Sequence, residues 1–285
     1  MTTPILLCAD DYGLAPGVNA AIRELIAAGR LTATSVMSLC PFWVGGAAPL
    51  RELADRADVG LHFTLTDQAP LGPMPRLARD GRLPPLGRLM GMAYTGRLDP
   101  AEIRDELARQ LDAFAAAWGG PPAYIDGHQH VHQLPTVRDA VADALSALPG
   151  AYVRLCGEPA GAVLRRGVAV PKTLLIGALG GGLARLVRSR GIPANSRFAG
   201  VYDFATATPF AELLPRLLDA DGPPDERRLV MVHPGIPDEE LRRVDSLIEP
   251  RRAEYDYLKG PAFAELLERR GIRLTRFAGF TNIRA

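Results

Sequence analysis

Histidine and aspartate, two residue types that bind divalent metals, are concentrated in one short segment of this chain. Residues 126–132 hold three of the five histidines, His128, His130 and His132. Three neighbouring imidazoles repel one another when protonated, so a shared metal ion or anion is the simplest explanation for the cluster. In an extended segment these alternate residues face one side, but we expect a turn near His130 to leave only one or two of them on the metal. Asp126 and the remaining histidines are then candidates for orienting ligands or binding substrate.

Each of the other candidate residues lies in or directly after a short apolar run: Asp10 and Asp11 after residues 5–9, His62 within residues 59–65, and His233 after residues 229–232. If these runs are parallel strands, their carboxyl ends gather at the edge of the sheet where α/β folds have active sites. Adjacent carboxylates repel each other and require a cation or a shared proton, although one of them could instead cap the following helix.

One aspartate and two histidines make a three-ligand set that leaves positions open for water and substrate. Nitrogen ligands favour zinc, while magnesium, cobalt, nickel and manganese are also compatible with the residue types. His233 could be a fourth ligand, a buried structural histidine or a general acid, and we favour the general acid because it completes a hydrolytic set.

Composition indicates an ordinary globular protein with a sizeable core. The 285 residues are 47% hydrophobic and 23% charged, with a formal net charge of +1 and no run of five or six like charges. Electrostatics therefore indicates neither a nucleic acid nor an anionic membrane as a partner. Of the three scattered cysteines, Cys8 and Cys40 lie in apolar surroundings and are expected to be buried free thiols, which suits a reducing compartment. With no secretion signal and no apolar stretch of membrane-spanning length, we expect a cytoplasmic protein without stable membrane insertion, whose oligomeric state, including a homo-oligomer, is left open.

Apolar runs alternate with helical patterns along the whole chain. Strands are predicted at residues 5–9, 34–39, 59–65, 124–125, 152–155, 198–202, 229–232 and 273–277, and helices at 16–29, 42–57, 99–119, 135–148, 208–218, 237–247 and 250–270. Residues 66–98 are an irregular insertion, either a lid or binding loop or a plain surface excursion, and residues 172–190 are a broken helix. Seven or eight βα units without a linker predict a single domain over residues 1–285 that forms a (β/α) barrel, with an open sheet as the alternative.

Four motifs, at residues 9–19, 59–62, 126–132 and 231–235, make the chain resemble the YdjC-like carbohydrate deacetylases, which include chitooligosaccharide and hopanoid-associated deacetylases. Residues 242–258 resemble the tail of that family. Gly127, where the family often has Ser, and Tyr12, where Phe is common, depart from its pattern. The resemblance implies a distorted TIM-like barrel.

The same resemblance implies roles for individual residues. Asp11, His62 and His128 are expected to hold one divalent metal ion, with Asp10 as general base and His233 as general acid. The implied reaction removes the N-acetyl group of an N-acetylglucosamine-type sugar, in a chitooligosaccharide or a glycoconjugate, and releases acetate. Two other classes remain as alternatives: a different metal-dependent barrel enzyme, such as a phosphoesterase or an isomerase, and a non-catalytic sugar-binding protein.

Overall fold

Parallel strands form the centre of the protein. The computed structural model describes residues 2–205, 208–218 and 226–283. The strands in these residues are β1 (Thr3–Tyr12), β2 (Ala33–Val36), β3 (Asp58–Phe63), β4 (Tyr124–Gly127), β5 (Tyr152–Val153), β6 (Arg197–Ala199), β7 (Arg228–Val232) and β8 (Ile272–Leu274). Their order across the sheet is β5-β4-β3-β2-β1-β7-β6, and β8 pairs with the amino-terminal part of β1. The pairings are parallel, as expected when helices connect successive strands.

Helices cover the outside of the sheet. They are α1 (Pro16–Ala27), α2 (Trp43–Arg51), α3 (Leu86–Tyr94), α4 (Pro100–Trp118), α5 (Val137–Ser146), α6 (Ala160–Arg166), α7 (Val170–Leu179), α8 (Gly181–Arg190), α9 (Phe210–Leu217), α10 (Glu239–Val244), α11 (Glu249–Lys259) and α12 (Pro261–Arg269). Two 3₁₀ segments span His128–Gln133 and Phe277–Ile283. No single helix in the described ranges is long and apolar enough to cross a bilayer, although α7 and α8 pass that test together, with a 43° bend between them.

The sheet curls until its two outer strands meet at an irregular seam. Val153 of β5 forms a single parallel bridge with Ala194, just before β6. Beside it, the side-chain amide of Asn195 accepts a hydrogen bond from the Leu155 backbone N–H at 2.7 Å and donates one to the Leu155 carbonyl at 2.8 Å. Between β5 and β6, one bridge and the hydrogen bonds of the Asn195 side chain therefore replace a regular ladder of backbone hydrogen bonds. The predicted distorted (β/α) barrel is confirmed.

Alternation along the strands divides the core into two parts. Odd-numbered residues of β1, such as Ile5 and Leu7, pack outward against the helices, whereas Leu6 and Cys8 belong to a separate cluster inside the barrel. The interior cluster also contains Ala33, Tyr124, Tyr152, Phe198, Leu229, Met231 and Phe280. Because side chains alternate between the two faces of a strand, this parity decides which later residues of each strand face the barrel axis.

Two sequence-based predictions of local structure need correction. Residues 66–98 are not irregular throughout, since they contain helix α3, whose short apolar face was too brief to stand out among the prolines and glycines. The predicted helix over 250–270 is two helices, because extended Gly260 separates α11 from α12, which starts at Pro261. In the first turn of α4, Asp99 caps the helix through the Ala101 N–H at 2.9 Å, whereas Glu102 does not bond back to Asp99.

Glu102 instead fastens the insertion to α4. Its two carboxylate oxygens accept hydrogen bonds from the backbone N–H groups of Arg76 at 2.8 Å and Leu77 at 3.1 Å. One turn further along the helix, fully buried Glu106 accepts the Leu71 N–H at 3.0 Å. These bonds satisfy backbone donors in a segment that has few neighbours to pair with, and they hold the insertion against the barrel.

Candidate active site

The inward-facing positions at the carboxyl ends of the strands carry polar side chains. Two residues beyond an interior residue of a strand, the side chain points to the barrel axis again. In this way Asp10 follows Cys8 in β1, His62 follows Gly60 in β3, Asp126 follows Tyr124 in β4, Arg154 follows Tyr152 after β5, and His233 follows Met231 after β7. A Cβ atom on Gly60 would lie 2.4 Å from the ring of Tyr124, so glycine leaves room for the tyrosine directly beneath His62. The strands thus place a polar layer on top of an apolar barrel interior.

Asp11 reaches this layer because β1 is bulged. β1 and β2 are in register at Ala9–Thr34 and again at Tyr12–Val36, so that Asp10 and Asp11 together lie opposite Ser35. Asp11 has a φ of 70°, in the left-handed region that aspartate tolerates better than most residues. Without the extra residue, Asp11 would point outward to the helices. The bulge explains how two adjacent carboxylates serve one site before the strand ends.

Asp11, His62 and His128, which we call the Asp11 group, present three ligand atoms that all lie within 4.8 Å of one another. Asp11 Oδ1 is 3.0 Å from His128 Nδ1 and 3.4 Å from His62 Nε2. Two ligands of a tetrahedral zinc ion, each about 2.1 Å from the metal, lie about 3.4 Å apart. The donor types and separations of the Asp11 group therefore fit a divalent metal ion.

Asp126 orients the imidazole of His62. Its Oδ1 lies 2.6 Å from His62 Nδ1, and its Oδ2 accepts a hydrogen bond from Ser35 Oγ at 2.7 Å. If His62 donates Nδ1–H to this carboxylate, its Nε2 is left as an electron-pair donor facing Asp11, the arrangement found behind metal-bound histidines. Burial lowers the pKa of His62, but the charges of Asp126 and Asp10 outweigh it and raise that pKa to about 10. The surroundings of this ring thus favour a bound cation.

Asp10 is held by a buried arginine that the sequence did not point to. Arg154 Nη1 donates to Asp10 Oδ2 at 2.7 Å and Arg154 Nη2 donates to Asp10 Oδ1 at 2.6 Å, a two-pronged pairing. Arg154 Nη2 also lies 2.7 Å from Asp126 and 3.1 Å from Cys8 Sγ. Cys8, Asp10 and Asp126 form a second set of possible metal ligands, which we call the Asp10 group, and the guanidinium lies among them.

Both adjacent carboxylates are ionised despite full burial. Burial raises the pKa of Asp10, but Arg154 outweighs it and holds the pKa below its ordinary value. For Asp11 the same opposition between burial and the charge of Arg251 leaves the pKa well below normal. Arg251 Nη2 donates to Asp11 Oδ2 at 2.6 Å and also reaches Asp245 at 2.6 Å. Each carboxylate thus has its own arginine, and Oδ1 of Asp11 faces the histidines.

Arg154, directly after β5, and His233, directly after β7, approach Asp10 from different strands. Its Nε2 is 4.0 Å from Asp10 Oδ2, and its backbone N–H is bound by buried Glu254, which also accepts a hydrogen bond from Tyr202 Oη at 2.6 Å. Phe204 meets the imidazole edge-on with ring centroids 5.4 Å apart. Burial lowers the pKa of His233 to about 4, so the ring is neutral in the free protein.

The histidine-rich segment is not extended. Gln129 and His130 have φ values of 52° and 62°, so the chain turns immediately after His128, as expected from the turn predicted near His130. His132 points away from the Asp11 group, and its Nε2–H donates a hydrogen bond to the Arg154 carbonyl at 2.9 Å. His130 packs edge-on against Phe198. Of the three clustered histidines, only His128 joins the Asp11 group.

A family model described as YdjC-like protein matches residues 4–269. The chain belongs to the YdjC-like family. It is 32% identical to the chitooligosaccharide deacetylase of Enterobacter sp. (strain 638), over 96% of this chain and 97% of that one. A human carbohydrate deacetylase is 37% identical over 53% of this chain and 48% of its own. In fold, the chain is similar to a candidate cellobiose-phosphate cleavage protein from Enterococcus faecalis V583, with a TM-score of 0.74 and 20% identity over 98% and 99% of the two chains.

In this member of the YdjC-like family, the polar layer forms the floor of a cavity of about 700 Å³. Asp10, Asp11, His62, His128 and His233 all line it. One wall comes from the insertion, through Asp67, Gln68, Arg82, Leu86 and Met90, and another from α7, through Lys172, Leu175, Ile176 and Leu179. Carboxylate and imidazole groups thus lie at the floor, and the walls combine aliphatic side chains with charged and amide ones.

Sequence reasoning missed the two arginines and Glu254. Arg154 stands directly after an apolar strand, the same position that drew attention to Asp10 and His233, so its location was an available signal. Arg251 and Glu254 lie on α11, within the residues 242–258 that resemble the family's tail, but that resemblance assigned them no place at the site. The expectation of buried free thiols is confirmed for Cys8 and Cys40, and Cys156 is a buried free thiol as well.

Proposed function

We propose that this chain is a metal-dependent carbohydrate N-deacetylase. It hydrolyses the acetamide of an N-acetylglucosamine-type sugar, in a chitooligosaccharide or a glycoconjugate, and releases acetate. The observation that carries the proposal is the position of the Asp11 group beside Asp10 and His233 on the floor of one cavity. The activities in the names of its relatives, chitooligosaccharide deacetylase and carbohydrate deacetylase, support the same reaction.

Asp11, His62 and His128 would hold the divalent ion, and two imidazole nitrogens in the set favour zinc over magnesium or manganese. When bound, the ion supplies a Lewis acid that polarises the acetamide carbonyl and lowers the pKa of water toward about 7. Arg251 occupies the second oxygen of Asp11, so this carboxylate offers a single oxygen to the histidine side. Asp126 keeps His62 in the orientation that this role requires.

Asp10 acts as the general base. Its pKa is held low by Arg154, so it is ionised at neutral pH and able to accept a proton. Arg154 binds both of its oxygens and fixes the plane of the carboxylate, while Oδ2 also lies 3.8 Å from His62 Nε2. Positioning of this kind is what makes a general base worth about 10²–10⁴ in rate.

His233 protonates the departing amine. Because its ring is neutral in the free protein, it must take up a proton during the reaction, and Asp10 Oδ2 is a carboxylate oxygen 4.0 Å from its Nε2. The proton that Asp10 accepts from water can therefore return to the nitrogen through His233. The balance is complete: one water and one amide give one acetate and one free amine.

Acetate release tests the proposal. The protein is stripped with a chelator, reloaded separately with zinc, cobalt, nickel, manganese or magnesium, and incubated with diacetylchitobiose or an N-acetylglucosamine glycoside. We expect acetate and free amine in equal amounts, and none from the stripped protein. Phosphate release from a sugar phosphate or isomerisation of a free sugar, measured in parallel, would indicate a different barrel enzyme. Tight sugar binding with no acetate under any metal would indicate a binding protein.

A further inference from the structure

The charge of residues 160–190 differs from that of the whole chain. This segment, which forms α6, α7 and α8, contains six basic residues and no aspartate or glutamate, although the net charge of the protein is only +1. Glu158 pairs with Arg166 and Asp143 pairs with Arg190, whereas Arg165, Arg185 and Arg188 have exposed side chains. Averaging over 285 residues hides this local excess of positive charge.

Helix α7 combines an apolar sequence with unusual exposure. Its ten residues read VPKTLLIGAL, yet Thr173 is its one buried residue. Leu175 is 57% exposed, and Leu164 of the preceding helix, α6, is 61% exposed. Most large exposed apolar side chains occur singly, but these two lie on helices that pack against each other. The cavity accounts for part of this apolar surface, through Ile176 and Leu179, and leaves Leu164 and Leu175 strongly exposed.

The shape of the segment favours a partner that it lies upon rather than one that it crosses. α7 and α8 have ten residues each, about 15 Å apiece, and a bend of 43° separates them. α8 buries Leu183 and Val187 against the protein and exposes Arg185 and Arg188. Gly180 between the helices keeps helical dihedrals (φ −73°, ψ −11°), and Leu175 and Ala178 before it and Arg185 after it are exposed.

We propose that residues 160–190 form a docking surface for an anionic lipid bilayer. Leu164 and Leu175 would enter the interface between head groups and acyl chains, and the exposed arginines would contact lipid phosphates. Apolar side chains flanked by basic ones, with no acidic residue among them, are the combination that binds helices in the plane of an anionic membrane. Because Leu175 also lines the cavity, docking places the opening of the candidate active site against the lipid surface.

Vesicle co-sedimentation tests the docking surface on the full-length protein. Vesicles of phosphatidylcholine alone are compared with equimolar phosphatidylcholine and phosphatidylglycerol. The test variant carries Leu164→Glu and Arg185→Glu. The control carries Val44→Glu, at a side chain that is 74% exposed on α2, and Arg104→Glu on the exposed side of α4. Both variants change the formal charge equally, and none of the four residues lines the cavity.

We expect the unsubstituted protein and the control to bind the anionic vesicles, and the test variant to bind at least about tenfold more weakly. Added salt should weaken the binding that remains, and thermal unfolding should show that all three proteins are folded. Equal binding of the two variants, or no preference for anionic vesicles, overturns the proposal. Self-association in gel filtration that the test variant alone abolishes, without vesicle binding, would make this surface an interface between copies of the chain.

Discussion

Two sets of metal-ligand side chains lie side by side on the floor of the cavity, and they differ in what neutralises them. The Asp10 group surrounds the guanidinium of Arg154, which binds both oxygens of Asp10 and one of Asp126. In the Asp11 group, Arg251 binds only Oδ2 of Asp11, and Oδ1 faces the imidazoles of His62 and His128. Under the proposed function, the internal cation suits the Asp10 group to acid–base chemistry, and the Asp11 group is the set that would hold a metal ion.

The largest effect that we expect from this contrast is a loss of metal affinity when His128, in the histidine cluster of residues 126–132, is replaced. His128→Ala removes a member of the Asp11 group, so we predict a loss of zinc affinity of more than about 100-fold and loss of deacetylation. His130→Ala is the matched control, because it lies two residues away but outside the group. Equilibrium dialysis with metal analysis compares the two. Equal losses in both variants would show that the cluster acts as a whole and that the Asp11 group is wrongly defined.

Asp10→Asn tests the Asp10 group, the other set in the comparison. The amide cannot accept the proton, yet it leaves the Asp11 group intact, so we predict unchanged zinc stoichiometry and a fall in turnover of about 10²–10⁴. Steady-state acetate release and metal content are measured on the same preparation. Full turnover in this variant would rule out Asp10 as the base. Loss of zinc would mean that Asp10 belongs with the metal ligands.

Arg154→Met tests whether the guanidinium is what occupies the Asp10 group. Its removal leaves Asp10 and Asp126 as buried carboxylates without their counterion, and we predict a decrease of about 3–5 kcal/mol in the free energy of unfolding. Arg154→Lys keeps the charge but loses the two-pronged geometry, so its decrease should be smaller. Urea denaturation measures both. An unchanged free energy of unfolding for Arg154→Met would show that the pairing does not stabilise the fold.

Glu254 sharpens the comparison, because no described guanidinium is hydrogen-bonded to it. Burial raises its pKa from 4.5 to about 7, opposite to the direction for Asp10 and Asp11. Between these two values the folded state binds more protons than the unfolded state, so stability falls as pH rises. We predict that, from pH 4.5 to pH 6, the unsubstituted protein loses about 1.6 kcal/mol of unfolding free energy relative to Glu254→Gln. Identical pH profiles for this variant and the unsubstituted protein would contradict the shift.

Much of the fold was predictable, because its signals are local. Buried parallel strands read as continuous apolar runs, and the residues at their carboxyl ends, such as Asp10 and His233, stand out by polarity. Helix boundaries inside 66–98 and 250–270 were harder, since short helices and a Gly-Pro break carry little periodicity. Residues outside the strands therefore set the limit of what sequence patterns reveal.

The site was predictable only as far as strand parity extends. Alternation brings His62 and Asp126 to the barrel axis, but it sends Asp11 outward, and only the bulge with its φ of 70° reverses this. Arg251 arrives from a helix 240 residues beyond Asp11, and the segment after His128 turns through two left-handed residues. Long-range contacts and local backbone exceptions of this kind depend on the whole fold rather than on spacing.

Anomalous X-ray diffraction from crystals grown with zinc tests most directly which set of side chains takes the metal. We predict one strong anomalous peak, about 2.0–2.2 Å from a carboxylate oxygen of Asp11 and from one ring nitrogen each of His62 and His128. Arg154 should remain hydrogen-bonded within the Asp10 group. A peak among Cys8, Asp10 and Asp126, with Arg154 displaced, would contradict it.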